Sequence, residues 1–253
     1  LVKQIPSIRM VATCGVGYDN LPLDYLKTQG IKASNTPGVL NDAVCELAIG
    51  MMLGLLRRIP ESQDFLKNGL WSKGLFPLTT TLAGKRIGIA GMGRIGQDLA
   101  KRLEPFKVEI AYSGPNPKPV PYTYYSNVQD LATVSDVLFL ACPATPVTDK
   151  MINAKVLEAL GASGYLINIA RGNVVDETAL LYALQHKKIA GAALDVFENE
   201  PNLNSAFLYL DNVLLTPHIG SATSETRIAM TNLAVDNLEA FFKQKPLPSE
   251  VKN

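Results

Sequence analysis

Few folds can use the segment Gly91-Met92-Gly93-Arg94-Ile95-Gly96 where it stands. An apolar run with strand character, 86–90, leads into it. A run with helical spacing, 95–103, leads out. In that setting each glycine has a purpose. Gly91 permits the tight turn, Gly93 lets a pyrophosphate approach the backbone, and Gly96 lets helix and strand pack closely. The helix then presents unpaired N–H groups and the positive end of its dipole to a phosphate. The reading is a dinucleotide-binding turn.

The surrounding pattern agrees. Strands are expected at 86–90, 108–112, 136–141, 165–170, 191–194 and 213–216, with helices at 95–103, 153–160 and 176–186. Several of these strands are apolar almost throughout, as happens when helices cover both faces of a parallel sheet. The expectation is a doubly wound α/β domain of the Rossmann kind. Upstream, 8–14 and 31–34 read as strands and 22–29 as a short helix. A long helix is expected at 42–58, with Asp42 placed to cap it, Arg57 and Arg58 at its negative end, and Pro60 closing it. Residues 60–81 read as polar and irregular. A last amphipathic helix, 222–243, ends before Pro246.

Composition narrows the partners. The 253 residues carry 24 basic and 23 acidic side chains, a net charge of +1, which gives no electrostatic case for nucleic acid or an anionic membrane. The longest uncharged apolar run, 47–56, is about half of what a membrane span needs. Cys14, Cys45 and Cys142 lie far apart with no CxxC spacing, so neither a disulfide framework nor a metal site is expected. That usage favours a reducing, cytoplasmic setting.

Three later segments place reactive side chains just past strands, where ligands gather in open α/β sheets. Arg171 follows 165–170, and its guanidinium can hold a carboxylate through two bonds. Glu200 lies in Phe197-Glu198-Asn199-Glu200-Pro201, and His218 in Thr216-Pro217-His218-Ile219-Gly220. An acid and an imidazole at neighbouring strand ends can pair, the carboxylate orienting the ring and favouring imidazolium. The other histidine, His186, precedes two lysines at a helix end and reads as a solvated end group. Cys142 and Ser221 lie near the crevice, but no base and orienter stand with them to make a nucleophile. Cys142-Pro143 reads as strand-end backbone beside a nucleotide.

A dinucleotide site usually adds a carboxylate about 20 residues past the turn, bonded to the ribose 2′-OH. None occurs between Tyr112 and Asn127, and Glu109 lies within the strand. Ser113-Gly114 stands at the strand end instead, offering a hydroxyl and backbone N–H groups without negative charge. Lys118 and Arg94 are the nearby cations. NADP is therefore expected over NAD, with mixed use as the alternative.

These motifs together resemble the D-isomer-specific 2-hydroxyacid dehydrogenases over nearly the whole chain. The resemblance is carried by GVGYDN (15–20), NTPGV (35–39), AVCELAIGMMLGLLRR (43–58), GKRIGIAGMGRIG (84–96), CPATPVT (142–148), INIARGNVVDETAL (167–180), GAALDVFENEP (191–201) and LLTPHIGSAT (214–223). Within that family the chain is most similar to the glyoxylate/hydroxypyruvate and hydroxyphenylpyruvate reductases.

The resemblance implies hydride transfer from NAD(P)H to a small 2-oxo acid, giving the D-2-hydroxy acid. Arg171 would bind the substrate and meet charge on its carbonyl oxygen, His218 would donate the proton, and Glu200 would support His218. Backbone amides at Val16 and Gly17 would take the substrate carboxylate. Cofactor contacts are implied at Gly91, Gly93, Arg94, Ile95, Gly96, Ser113, Gly114, Cys142, Pro143, Thr148, Ile169, Ala170, Arg171, Asp195, His218 and Gly220, with Asp195 at the nicotinamide carboxamide. The helix 42–58 and the stretch 60–81, Trp71 included, resemble a dimerising arm, so a homodimer is expected.

Two domains follow: 42–225 as the dinucleotide-binding domain, and 1–41 with 226–253 as a flavodoxin-like substrate domain. The second is expected to be incomplete at its N-terminus, because two strands are too few for an independent sheet. Three related activities compete. Formate dehydrogenases pair the histidine with Gln, against which Glu200 argues. Phosphoglycerate dehydrogenases often carry a C-terminal regulatory domain. A nucleotide-sensing corepressor of the C-terminal-binding type would keep the triad and turn over negligibly.

Overall fold

The computed structural model describes residues 2–5 and 7–251. The chain forms two compact units, Leu1–Ala43 with Ser221–Asn253, and Val44–Gly220.

In the first unit β1 (Met10–Ala12) and β2 (Lys32–Ser34) pair in parallel, Met10 opposite Lys32. The crossover is α1 (Leu23–Thr28), which buries Leu26 and stops before Gly30 at φ +65°, a left-handed position that glycine occupies without strain.

The long helix α2 (Asn41–Arg57) is present, but Asp42 lies inside its first turn, where it complements the dipole rather than capping from outside. The expected irregular stretch is corrected too. Arg58 turns left-handed at φ +51°, and a second helix, α3 (Ile59–Lys67), begins at once, followed by a 3-10 turn at Leu70–Lys73. Pro60 sits in the first turn of α3, where no intrahelical N–H is required of it. A proline that reads as a stop here serves as a start.

The second unit is then a run of β–α units: β3 (Arg86–Ala90), α4 (Arg94–Leu103), β4 (Glu109–Ser113), β5 (Thr123–Tyr125), α5 (Val128–Thr133), β6 (Val137–Leu140), α6 (Ala154–Leu160), β7 (Tyr165–Asn168), α7 (Glu177–Gln185), β8 (Gly191–Leu194) and β9 (Val213–Leu215). The strands form one seven-stranded sheet in the order β5-β4-β3-β6-β7-β8-β9. Every pairing in it is parallel. The short β5 and α5 lie outside the elements expected from the sequence pattern, being too brief to show a period.

Apolar strands serve two faces. Val137, Phe139, Ile87, Ile89, Ile167 and Ala193 share a core with Met51, Met52, Leu99 and Leu103 from α2 and α4. Leu138, Leu140, Leu166, Ala192 and Leu194 share the other with Val156, Leu160, Leu180 and Leu184 from α6 and α7. Each of the larger side chains among these, fully buried, contributes roughly 1.5–3 kcal/mol, and the two alanines less. The sheet is thereby a stiff base for loops at its carboxyl edge.

The chain closes with α8 (Ser224–Phe242) in the first unit, capped by Thr223, whose hydroxyl accepts from the Thr226 N–H at 3.2 Å. Buried Asn237 on α8 donates to Ser249 Oγ at 2.8 Å, and Ser249 donates to the Asn35 carbonyl at 2.6 Å, tying the C-terminal segment to the end of β2.

Candidate active site

The strand order reverses at β3, which has β4 on one side and β6 on the other. The glycine-rich turn lies at that point, and its glycines differ in surroundings. Gly91 has φ +106°, and a Cβ there would lie 2.6 Å from the Cys142 nitrogen. A Cβ on Gly96 would lie 2.1 Å from the Gly91 carbonyl oxygen. A Cβ on Gly93 would meet nothing within 4 Å. Two glycines are thus held by the protein itself, and the third faces open space. No side chain caps α4, whose N-cap is Gly93 and whose first two residues are Arg94 and Ile95. An uncapped helix start beside a cleared backbone suits a pyrophosphate, so these residues fit a dinucleotide.

At the end of β4 the buried Ser113 accepts the Gly91 N–H on its carbonyl at 2.9 Å. A Cβ on Gly114 would meet nothing within 4 Å. The proline-rich loop folds back here. The Tyr112 hydroxyl accepts the Lys118 N–H at 2.7 Å, and Tyr124 donates to the Gly114 carbonyl at 3.0 Å. Lys118 and Arg94 are both exposed.

Past β6, Cys142 is largely enclosed, and burial pushes its thiol up to about 11. That suits a structural wall rather than a nucleophile. Thr148 closes the loop that follows, donating to the Pro143 carbonyl at 2.7 Å and accepting the Thr145 N–H at 2.8 Å.

Arg171, Glu200 and His218 follow β7, β8 and β9, three consecutive neighbours in the sheet. Asn168, at the end of β7, shapes the first turn. Its Oδ1 accepts the Ala170 N–H at 3.0 Å and its Nδ2 donates to the Arg171 carbonyl at 3.0 Å. Ile169 and Ala170 lie within that turn, and Arg171 donates from Nη1 to the Ala170 carbonyl at 2.7 Å. Glu200 divides its oxygens. Oε1 accepts the Phe197 N–H at 2.9 Å, and Oε2 stands 2.6 Å from His218 Nδ1. The imidazole is half exposed, its side chain at 50 %.

His218 adopts φ +53°, uncommon for a residue with a side chain. Asp195 accounts for it. This carboxylate is 2 % exposed, and it accepts from Thr216 Oγ1 at 2.6 Å, the Ile219 N–H at 2.8 Å and the Gly220 N–H at 2.9 Å. It therefore grips the turn on both sides of His218. The family resemblance implies Asp195 at the nicotinamide carboxamide; its contacts here are with this turn. His186 donates from Nδ1 to the Tyr182 carbonyl at 2.9 Å and stacks on the Tyr182 ring, at the end of α7.

Asn168, Gly172, Glu177 and Thr216 are the supporting residues that sequence reasoning gives no part. Each stands within a few residues of Arg171 or His218. The available signal is a short polar, acidic or glycine residue close to a reactive one at a strand end. In the first unit, Asn35 Nδ2 donates to the Val16 carbonyl at 2.9 Å and Thr36 N–H to the Gly15 carbonyl at 2.9 Å, fixing the loop that carries Val16 and Gly17. Among the described residues no group of three or more His, Cys, Asp and Glu side chains is placed to hold a metal, and no helix is long and apolar enough to cross a membrane.

Comparison with known proteins points the same way. The model of the D-isomer specific 2-hydroxyacid dehydrogenase NAD-binding domain matches residues 49–220. A hydroxyphenylpyruvate reductase from Plectranthus scutellarioides is 47 % identical over 252 residues, 99 % of this chain and 80 % of that protein. Glyoxylate/hydroxypyruvate reductase A of Arabidopsis thaliana has the same identity and coverage. Among solved structures, an NADPH-dependent glyoxylate/hydroxypyruvate reductase from Sinorhizobium meliloti, in complex with NADP and malonate, superposes with a TM-score of 0.96. It is 45 % identical, and the match covers 99 % of this chain and 79 % of that one.

Proposed function

Because the chain belongs to the D-isomer-specific 2-hydroxyacid dehydrogenase family, we propose that Arg171, Glu200 and His218 are its reaction centre. The activity is NAD(P)H-dependent reduction of a 2-oxo acid of the glyoxylate/hydroxypyruvate type. The observation that carries the assignment of roles is the 2.6 Å contact between Glu200 and His218, which follow β8 and β9, the next two strands in the sheet after the β7 that ends before Arg171.

Bound NAD(P)H supplies the hydride. The chain's own groups do the rest. With Nδ1 engaged by Glu200, Nε2 is the atom of His218 that gives a proton to the substrate oxygen and recovers it in the reverse direction. Arg171 brings a fixed positive charge and a two-pronged donor for the 2-oxo acid, and it counters negative charge as it grows on the carbonyl oxygen. Gly91, Gly93, Arg94, Ile95 and Gly96 would hold the dinucleotide's phosphates. In the first unit, the amides of Val16 and Gly17 are donors for a carboxylate.

NADP is the proposed dinucleotide. Ser113 and Gly114 present no carboxylate that would repel a 2′-phosphate, and Lys118 is tethered by its backbone to Tyr112 of β4. The NADPH-dependent Sinorhizobium relative supports this reading. A homodimer is proposed as well. Leu66, Trp71, Leu75 and Leu78, in and after α3, are exposed by 56, 67, 88 and 100 %, apolar surface that a second copy would cover. Cys14, Cys45 and Cys142, none of them in a disulfide, suit the cytoplasm.

The test is a panel of glyoxylate, hydroxypyruvate, pyruvate and phenylpyruvate with each reduced cofactor. Highest kcat/KM with glyoxylate or hydroxypyruvate and NADPH is expected. Negligible turnover of all four would contradict the reading.

A further inference from the structure

The loop that carries Glu200 is fixed by more than Glu200 itself. Its first two amides go to two different carboxylates. The Phe197 N–H donates to Glu200 Oε1 at 2.9 Å, and the Glu198 N–H donates to Glu177 Oε1 at 2.7 Å. Glu177 is the first residue of α7 and only 7 % exposed, an unusual place for a carboxylate. A helix-starting acid normally faces water, where it complements the dipole. This one points into the protein at a single backbone amide.

The rest of the loop's surroundings leave it little room. Gly172 backs directly onto the Phe197–Glu198 peptide, where a Cβ would lie 1.9 Å from the Phe197 carbonyl carbon. Lys150 Nζ stands 3.3 Å from Glu198 Oε1, and the Lys150 N–H donates to the Asn173 carbonyl at 2.7 Å. Burial pushes the Glu177 carboxyl above its ordinary value, as does the Glu198 charge, while the Glu198 amide and Lys150 pull the other way. What the loop needs from position 177 is therefore an oxygen at the right reach.

We propose that Glu177 is a positioning residue for the reaction: by holding the Glu198 amide it sets the loop on which Glu200 meets His218. The inference rests on the reading of His218 as proton donor. A lost anchor lets Glu200 drift, the imidazole loses its fixed orientation, and the proton-transfer step slows without change in ground-state binding. Misplacement by about 1 Å can cost up to ~10²-fold in rate.

Two substitutions separate reach from charge. Glu177→Asp keeps the charge and a favourable first-turn acid but withdraws the oxygen by about one C–C bond, ~1.5 Å. Glu177→Gln keeps the reach and an acceptor oxygen but removes the charge. Steady-state kinetics with hydroxypyruvate and NADPH should show kcat about tenfold lower for Glu177→Asp, KM values within about twofold, and near-native kcat for Glu177→Gln. The aspartate effect should vanish in a His218→Ala background, since the path runs through the imidazole. Glu177→Ala replaces the aspartate variant in the same comparison if that variant does not fold.

An equal loss from Glu177→Asp in both backgrounds overturns the proposal. So does native kcat for Glu177→Asp with His218→Ala impaired, which leaves the proton-donor reading intact. Loss in the glutamine variant alone overturns it in favour of charge. A His218→Ala enzyme with native kcat removes the reading of the site and this inference with it.

Discussion

Gly172 and Phe197 occupy one another's van der Waals space so closely that a Cβ on the glycine would lie 1.9 Å from the Phe197 carbonyl carbon. The glycine follows Arg171, and the phenylalanine opens the loop of Glu200. The two peptides are therefore the point where the turn that carries Arg171 meets the loop that carries Glu200. Gly172→Ala must move one loop off the other. Its expected effect is a kcat loss on the order of 10²-fold with a lower melting temperature, since neither backbone can yield as a flexible side chain would. Activity and thermal unfolding of the purified variant check both.

Cofactor choice has a separate handle. Ser113→Asp puts a carboxylate at the end of β4, where it repels a 2′-phosphate and accepts from a 2′-OH. The ratio of kcat/KM for NADPH over NADH should fall at least about tenfold, one charge-assisted bond's worth. A wild-type preference for NADH would overturn the assignment.

Acid stability has an identifiable contributor. Arg86 at the start of β3 meets Asp136 just before β6, with Nη2 to Oδ1 at 3.1 Å and the Arg86 N–H on Oδ2 at 2.8 Å. Partial burial opposes the Asp136 charge. The Arg86 side chain, its amide and its charge, with Lys85, outweigh that and hold the carboxyl below its ordinary 3.8. A lowered folded-state value means the contribution is full above the unfolded value and fades as pH falls through the folded one. Asp136→Asn should cost roughly 0.5–1 kcal/mol at pH 7 and progressively less on acidification below 3.8. Urea unfolding at several pH values measures it.

Thiol chemistry should divide the cysteines. Cys142, pushed up to about 11 by burial, has almost no thiolate at pH 8, whereas Cys14 is exposed. Iodoacetamide followed by peptide mass mapping should label Cys14 first and leave Cys142 intact in the folded protein. Prompt labelling of Cys142 would refute its reading as inert wall.

Residues 91–96 are legible in the sequence because the physical reasons for their glycines are local: a turn, a helix start and a strand contact within a few residues. Arg171, Glu200 and His218 are legible because a charged or titratable group directly after an apolar strand stands at the edge of the sheet where ligands gather. The anchors behind them are not. Glu177 looks in sequence like any acid at a helix start, and Gly172 like any loop glycine. What distinguishes them is the Phe197–Glu198 peptide, brought close by the pairing of β7 with β8. Asp195 is singled out only by the family resemblance, and its bonds to Thr216, Ile219 and Gly220 depend on β8 lying beside β9. The helix within 60–81 is hidden for a different reason: Pro60 is both a stop and a start signal, and only the left-handed Arg58 before it decides.

The proton is the central claim, and His218→Ala tests it most directly. Single-turnover reduction of hydroxypyruvate by enzyme-bound NADPH, followed by loss of the cofactor's absorbance, isolates the chemical step from product release. With fold and NADPH affinity unchanged, the rate should fall by about 10² to 10⁴-fold, the range of a general acid. A folded His218→Ala enzyme that reduces hydroxypyruvate at the native rate would contradict the account.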